Sequence, residues 1–192
     1  VRQVPGMPNI KLLATTSQSF LSVDIHSGEK RVIHGGDGLY YGIAVAPSHV
    51  YVASRRRMVS SVAPAEQETG VIHVFDHSLR PINTLVPPFA LRDLHSIAFN
   101  DGVLWATCSF DDMVARWNGS EWSTWYPLGA PVGEPRDVHH FNSLYFENDA
   151  VWLLAHNRGA SELLEFSKRD LQLRSRVQMG VQAHDIWRES GS

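Results

Sequence analysis

Residues 94–109 read LHSIAFNDGVLWATCS. Asp101-Gly102 is a two-residue hairpin signal, and the runs on either side are rich in Ile, Val, Phe and Trp, so the stretch predicts two antiparallel β-strands. His95 stands at the front of the first strand. The same layout returns at residues 40–55, YYGIAVAPSHVYVASR, and at residues 141–156, FNSLYFENDAVWLLAH. A shortened version, AHDIWRES, occupies residues 183–190. The residues that open these apolar runs are Tyr41, His95, Asn142 and His184, spaced by 54, 47 and 42 positions.

The match continues downstream of each pair. FLSVDIHSGEKRVIH, VIHVFDHSLRPINTL, DMVARWNGSEWSTWY and SELLEFSKRDLQLRSRV each predict a strand, a polar turn and another strand. Leu163, Leu164 and Phe166 could lie on one helical face, but the repeat register places them on a strand. The unit is therefore four short antiparallel strands, repeated about every 48 residues along the 192-residue chain. Strand repeats of this size predict an all-β fold, a β-propeller whose blades are four-stranded antiparallel sheets. The first unit, IKLLATT, matches a second strand and has no first strand before it, while AHDIWRES is a first strand alone. Pairing the two would close a ring of four blades and remove both exposed sheet edges. The alternative is a segment of a larger, six-bladed ring. Residues 1–192 are read as a single propeller domain.

This pattern resembles six-bladed propellers of the NHL-repeat and gluconolactonase-like kind. More narrowly, DLHSIAF and HHFNSLYF resemble the inner strands of a bacterial propeller family described only as a domain of unknown function. The resemblance implies a fold and no reaction.

Composition narrows the function classes. A formal charge of −3 makes no electrostatic case for nucleic acid or an anionic membrane. No apolar run approaches the roughly 20 residues that span a bilayer, so a soluble, cytoplasmic protein is the expectation. A single cysteine, Cys108, excludes an internal disulfide or a cysteine zinc cluster. There is no G-x-S-x-G elbow, phosphate loop or H-E-x-x-H helix. The Gly36–Gly42 stretch precedes a strand and reads as a blade connection.

Ten histidines are the unusual feature. In a propeller the first strand of each blade lines the channel, which would bring His95, Asn142, His184 and Tyr41 into one ring. His140, two residues before Asn142, would point the same way. His95, His140 and His184 are the candidate catalytic groups, and also candidate ligands for a divalent metal such as Zn. Tyr41, Asn142, His156, Arg158 and Arg56 are the candidate substrate-binding residues. Three readings follow: a metal-dependent lyase or hydrolase, metal-free binding of a polar or anionic small molecule, or a wet structural ring. A non-catalytic scaffold that holds a protein partner on the same face is the alternative to an enzyme.

Overall fold

The computed structural model describes residues 11–57, 64–130, 132–133 and 137–187. Among these residues there are fifteen strands and two one-turn 3-10 helices, at Ala65–Gln67 and Ser109–Asp111. The first sheet contains β1 (Lys11–Thr15), β2 (Ser19–Asp24) and β3 (Lys30–Gly35). The second contains β4 (Tyr40–Val45), β5 (Val50–Ser54), β6 (Val71–Phe75) and β7 (Pro81–Leu85). The third contains β8 (Leu94–Asn100), β9 (Val103–Cys108), β10 (Met113–Trp117) and β11 (Trp122–Trp125). The fourth contains β12 (Phe141–Glu147), β13 (Ala150–Ala155), β14 (Ala160–Ser167) and β15 (Leu173–Val181). Every sheet is an antiparallel meander, and the innermost strands β1, β4, β8 and β12 neighbour one another in that order.

This is the four-unit propeller architecture that the repeat predicted. Among the described residues the first sheet has three strands, in line with the expectation that its unit starts at a second strand. Residues 183–187 lie beside β12, where Asn142 Nδ2 donates to Ala183 O at 3.5 Å and Ser143 Oγ donates to Asp185 Oδ1 at 2.6 Å. They pair with no strand among the described residues. Residues 188–190, the rest of the expected closing strand, lie outside the described residues, as do Glu134 and Arg136.

The physical reason for the radial stack is legible in β5, VYVAS, which is buried at every position. Alternate side chains point to opposite faces. Val50 and Val52 pack toward the first sheet with Phe20, Tyr40 and Phe75. Tyr51 and Ala53 pack toward the third with Ile97, Leu104 and Ala106. Trp105 and Val114 then face the fourth sheet, against Phe141, Leu153 and Phe166. An inner sheet buried on both faces reads as a continuous apolar run rather than an alternating one. Each fully buried Phe contributes about 2–3 kcal/mol at these seams. Trp105, Trp117, Trp122 and Trp125 serve the same packing. Trp125 stacks edge-on against Trp105 and Phe166, and Trp122 contacts Trp117 and Phe89.

The inner strands also approach closely. A Cβ on Gly42 would come within 2.6 Å of the Ile97 backbone nitrogen, so β4 and β8 meet where only glycine fits. Cys108 is completely buried, and burial pushes its thiol pKa far above the usual range, so it is a core residue and not a nucleophile.

Candidate functional site

β4, β8 and β12 begin with the same local device. The register slips between Tyr40 and Ile43, between Leu94 and Ile97, and between Phe141 and Ser143. The residues just before these bulges carry matched backbone bonds. Arg55 N donates to Leu39 O (2.9 Å), Ser109 N to Asp93 O (3.1 Å) and His156 N to His140 O (3.3 Å). Asp93 and His140 both sit in the left-handed region, at φ 51° and 50°. Three equivalent corners therefore stand at one end of the molecule, where second strands end and first strands begin.

Buried anions build these corners. Asp112 accepts from the backbone N–H groups of Val138, His139 and His140 at 2.8–2.9 Å. Glu68 accepts from Asp93 N at 2.7 Å. Ser161 Oγ plays the same part for the fourth sheet, accepting from Ala183 N at 2.9 Å. Glu68 and Asp112 stand on the connection after a blade's second strand and hold the approach to the next blade's first strand, while Ser161, near the start of β14, holds the segment that begins at Ala183.

The corners bring the predicted residues into a row. The ring centroids of Tyr41 and His95 lie 5.2 Å apart, those of His95 and His140 5.0 Å, those of His140 and His156 5.3 Å, and those of His156 and His184 4.9 Å. Asn142 Nδ2 lies 3.2 Å from His184 Nδ1. His140 reaches the row from the turn before β12 rather than by strand alternation with Asn142.

The hydrogen bonds assign the imidazole tautomers. His95 Nδ1–H donates to Asp93 O at 2.9 Å. Ser109 Oγ, 3.1 Å from the same nitrogen, spends its own proton on Phe141 O at 2.7 Å. His140 Nδ1–H donates to Asp137 Oδ1 at 2.6 Å. Both residues thus keep a lone pair on Nε2, and neither Nε2 has a partner among the described residues. His156 Nδ1 accepts from Arg158 N at 3.2 Å and His184 Nδ1 accepts from Asn142, so these two carry the proton on Nε2. Asn142 is buried, and its Oδ1 has no partner among the described residues.

Burial pushes the pKa of His95 below the usual imidazole range, while the Asp93 charge pulls it back. His140 is lowered by burial in the same way, again opposed by Asp93. His156 is lowered by burial and by the neighbouring His140 and His184. These three imidazoles are therefore held toward the neutral form.

The arginines divide differently from the expectation. Arg56 is exposed, and its charge acts on His73 rather than on this row. Arg55 enters the site instead. Its Nη1 lies 2.6 Å from Asp93 Oδ1, its Nε donates to Glu68 Oε2 at 3.2 Å, and its guanidinium lies 5.5 Å from the Tyr41 ring centroid. Arg158 is at the row but is paired with Asp137, the carboxylate that orients His140. The arginine charges are thus consumed by Glu68, Asp93 and Asp137, which weakens the case for an anionic ligand. Asp93, two residues before His95, is readable from the sequence as a carboxylate able to orient that imidazole, and Asp112 as a polar loop residue; Glu68, an isolated carboxylate in a turn, carries no such pattern. The 54- and 47-residue spacings that link Arg55, Ser109 and His156 were the available signal.

A second histidine cluster lies at the seam of the first two sheets. The His34 and His73 rings lie 4.3 Å apart at a 39° tilt, His34 Nδ1 lies 2.6 Å from the Tyr40 hydroxyl, and His73 Nε2 lies 2.9 Å from Asp37 Oδ2. A cavity of about 240 Å³ opens beside them, lined also by Phe75, Ile82 and Thr84.

No family model matches the chain, and no curated protein does. Solved structures do. A luciferin-regenerating enzyme superposes with a TM-score of 0.65 at 9% identity, over 95% of this chain and 63% of that one. A chain of a nidogen/laminin complex gives 0.63 at 8% identity, over 88% and 59%. The WD40 repeats of RRP9 give 0.57 at 11% identity, over 91% and 64%. These likenesses support the propeller fold and nothing finer. The chain spans about six-tenths of the length of each of these neighbours. No helix among the described residues is long and apolar enough to cross a membrane.

Proposed function

We propose that the row from Tyr41 to His184 binds a small, hydroxyl-bearing polar molecule at the mouth of the propeller channel. The observation that carries this reading is the pair of free Nε2 lone pairs on His95 and His140, each fixed by a bonded Nδ1. The row offers both kinds of hydrogen bond. His95, His140 and Asn142 Oδ1 accept, while His156 and His184 donate through Nε2–H. A hydroxyl group, which both donates and accepts, matches that alternation better than a carboxylate does. Neutral imidazoles in this position can also move protons, directly or beside a metal ion, which is the chemistry of a lyase or hydrolase. The nidogen/laminin neighbour comes from a protein complex, so a protein-binding scaffold is the second reading.

The test is a panel of monosaccharides and hydroxy acids added to ¹⁵N-labelled protein, with the imidazole nitrogens observed by NMR. At least one compound is expected to shift Nε2 of both His95 and His140, with the effect lost in His95→Gln and His140→Gln. A panel that moves neither nitrogen, or shifts that persist in both variants, would overturn the reading in favour of a scaffold.

A further inference from the structure

We propose that Asp93, His95 and His140 form a binding site for one borderline divalent metal ion of the zinc, cobalt or nickel class. The proposal rests on the reading of the row as a ligand site and adds the ion that would organise it. Each of the three side chains offers one donor atom, and these atoms lie within 4.8 Å of one another. No other group of three His, Cys, Asp or Glu donors among the described residues meets that condition.

The donor set has the composition such ions take: two neutral imidazoles and one carboxylate, with room left for water or a ligand. The outer contacts are those of a built site. His140 is backed by Asp137, which is in turn held by Arg158. His95 is backed by the Asp93 carbonyl and by Ser109. Asp93 gives Oδ1 to Arg55, which leaves Oδ2 with only the 3.7 Å approach of His140 Nδ1. Such second partners orient ligands and raise their affinity. Donors around a tetrahedral ion stand about 3.3 Å apart, given metal–nitrogen distances near 2 Å. The three donors must therefore close by at most about 1.5 Å on binding.

Three features locate the site here rather than on the predicted triad of His95, His140 and His184. His184 is exposed, it is separated from His140 by the His156 ring, and its Nδ1 is taken by Asn142. The carboxylate that replaces it, Asp93, is fixed by Arg55 and by the bond from its own N–H to Glu68.

The experiment is titration of the full chain, first stripped with EDTA, with Zn²⁺ by calorimetry and with Co²⁺ by visible absorption. Saturable binding of one equivalent is expected, with intense ligand-field bands for Co²⁺. Affinity is expected to fall at least about tenfold in His95→Gln and in His140→Gln, and to be unchanged in His34→Gln, a control for histidines elsewhere. Amide NMR spectra establish that each variant is folded. Absence of saturable binding, or binding equally strong in both site variants, would overturn the proposal. Repeating the hydroxy-compound panel on the EDTA-stripped protein separates the two claims. Shifts of His95 and His140 without metal, together with no saturable metal binding, would leave ligand binding standing while the metal site fell.

Discussion

His73 shows what one residue can reveal about a seam. It pairs with Val52, and its equivalents in the next two sheets, opposite Ala106 and Leu153, are Ala115 and Leu164. A buried imidazole thus occupies an apolar core position. Burial lowers its pKa, His34 and Arg56 push the same way, and Asp37 opposes them. A base whose folded pKa is depressed binds fewer protons folded than unfolded, so stability rises with pH. The contribution is complete above the unfolded value near 6.5 and is lost as pH falls below it. His95, His140 and His156 have the same sign. Urea unfolding at pH 7.5 and pH 5.5 is expected to show lower stability at pH 5.5. His73→Leu is expected to be about 1 kcal/mol more stable at pH 5.5 and to flatten the dependence, because it restores the residue type used by the sibling sheets while leaving half-exposed Asp37 to water.

At the level of elements, the turn that carries His140 is held by its neighbour rather than by itself. Asp112, itself in the left-handed region, gathers three successive backbone N–H groups across the seam between the third and fourth sheets. Bonds to a charged acceptor are worth about 1.5–3 kcal/mol each, and the freed N–H groups are only partly reachable by water. Asp112→Ala is expected to cost about 3 kcal/mol in urea unfolding. Loss of hydrogen-exchange protection at the amides of residues 138–140 is the sharper measurement. Protection that survives the substitution would show that the turn holds without its carboxylate.

Across the whole molecule, successive blades are joined by ionic corners as well as by apolar seams. Arg55 extends from the second sheet, holds Glu68 in its own blade and reaches Asp93 at the start of the third. Burial works against the Glu68 carboxylate, but the bonds from Arg55 and Arg57 outweigh it and hold its pKa low. Removing one partner from such a cluster leaves buried charge uncompensated, at a cost of about 3–5 kcal/mol. Arg55→Met is therefore expected to uncouple the second sheet from the third. Thermal unfolding followed by near-ultraviolet circular dichroism should then broaden or split into two steps, whereas a single transition at the original temperature would contradict the coupling.

The strand repeat, the all-β architecture and the recurrence of Tyr41, His95 and Asn142 can be read from the letters alone. These follow from local chemistry: alternation, hairpin turns and spacing are written into consecutive residues. That Arg55 and not Arg56 enters the row, and that Asp93 stands beside both His95 and His140, emerges only in three dimensions. The tertiary structure also brought Asp112, Glu68, His34 and His73 into view. Their positions depend on bulges and left-handed turns that swing side chains across seams, and on contacts between residues more than 40 positions apart. A run of letters carries the period of a strand, but not which of two adjacent arginines points inward when sheets pack about an axis.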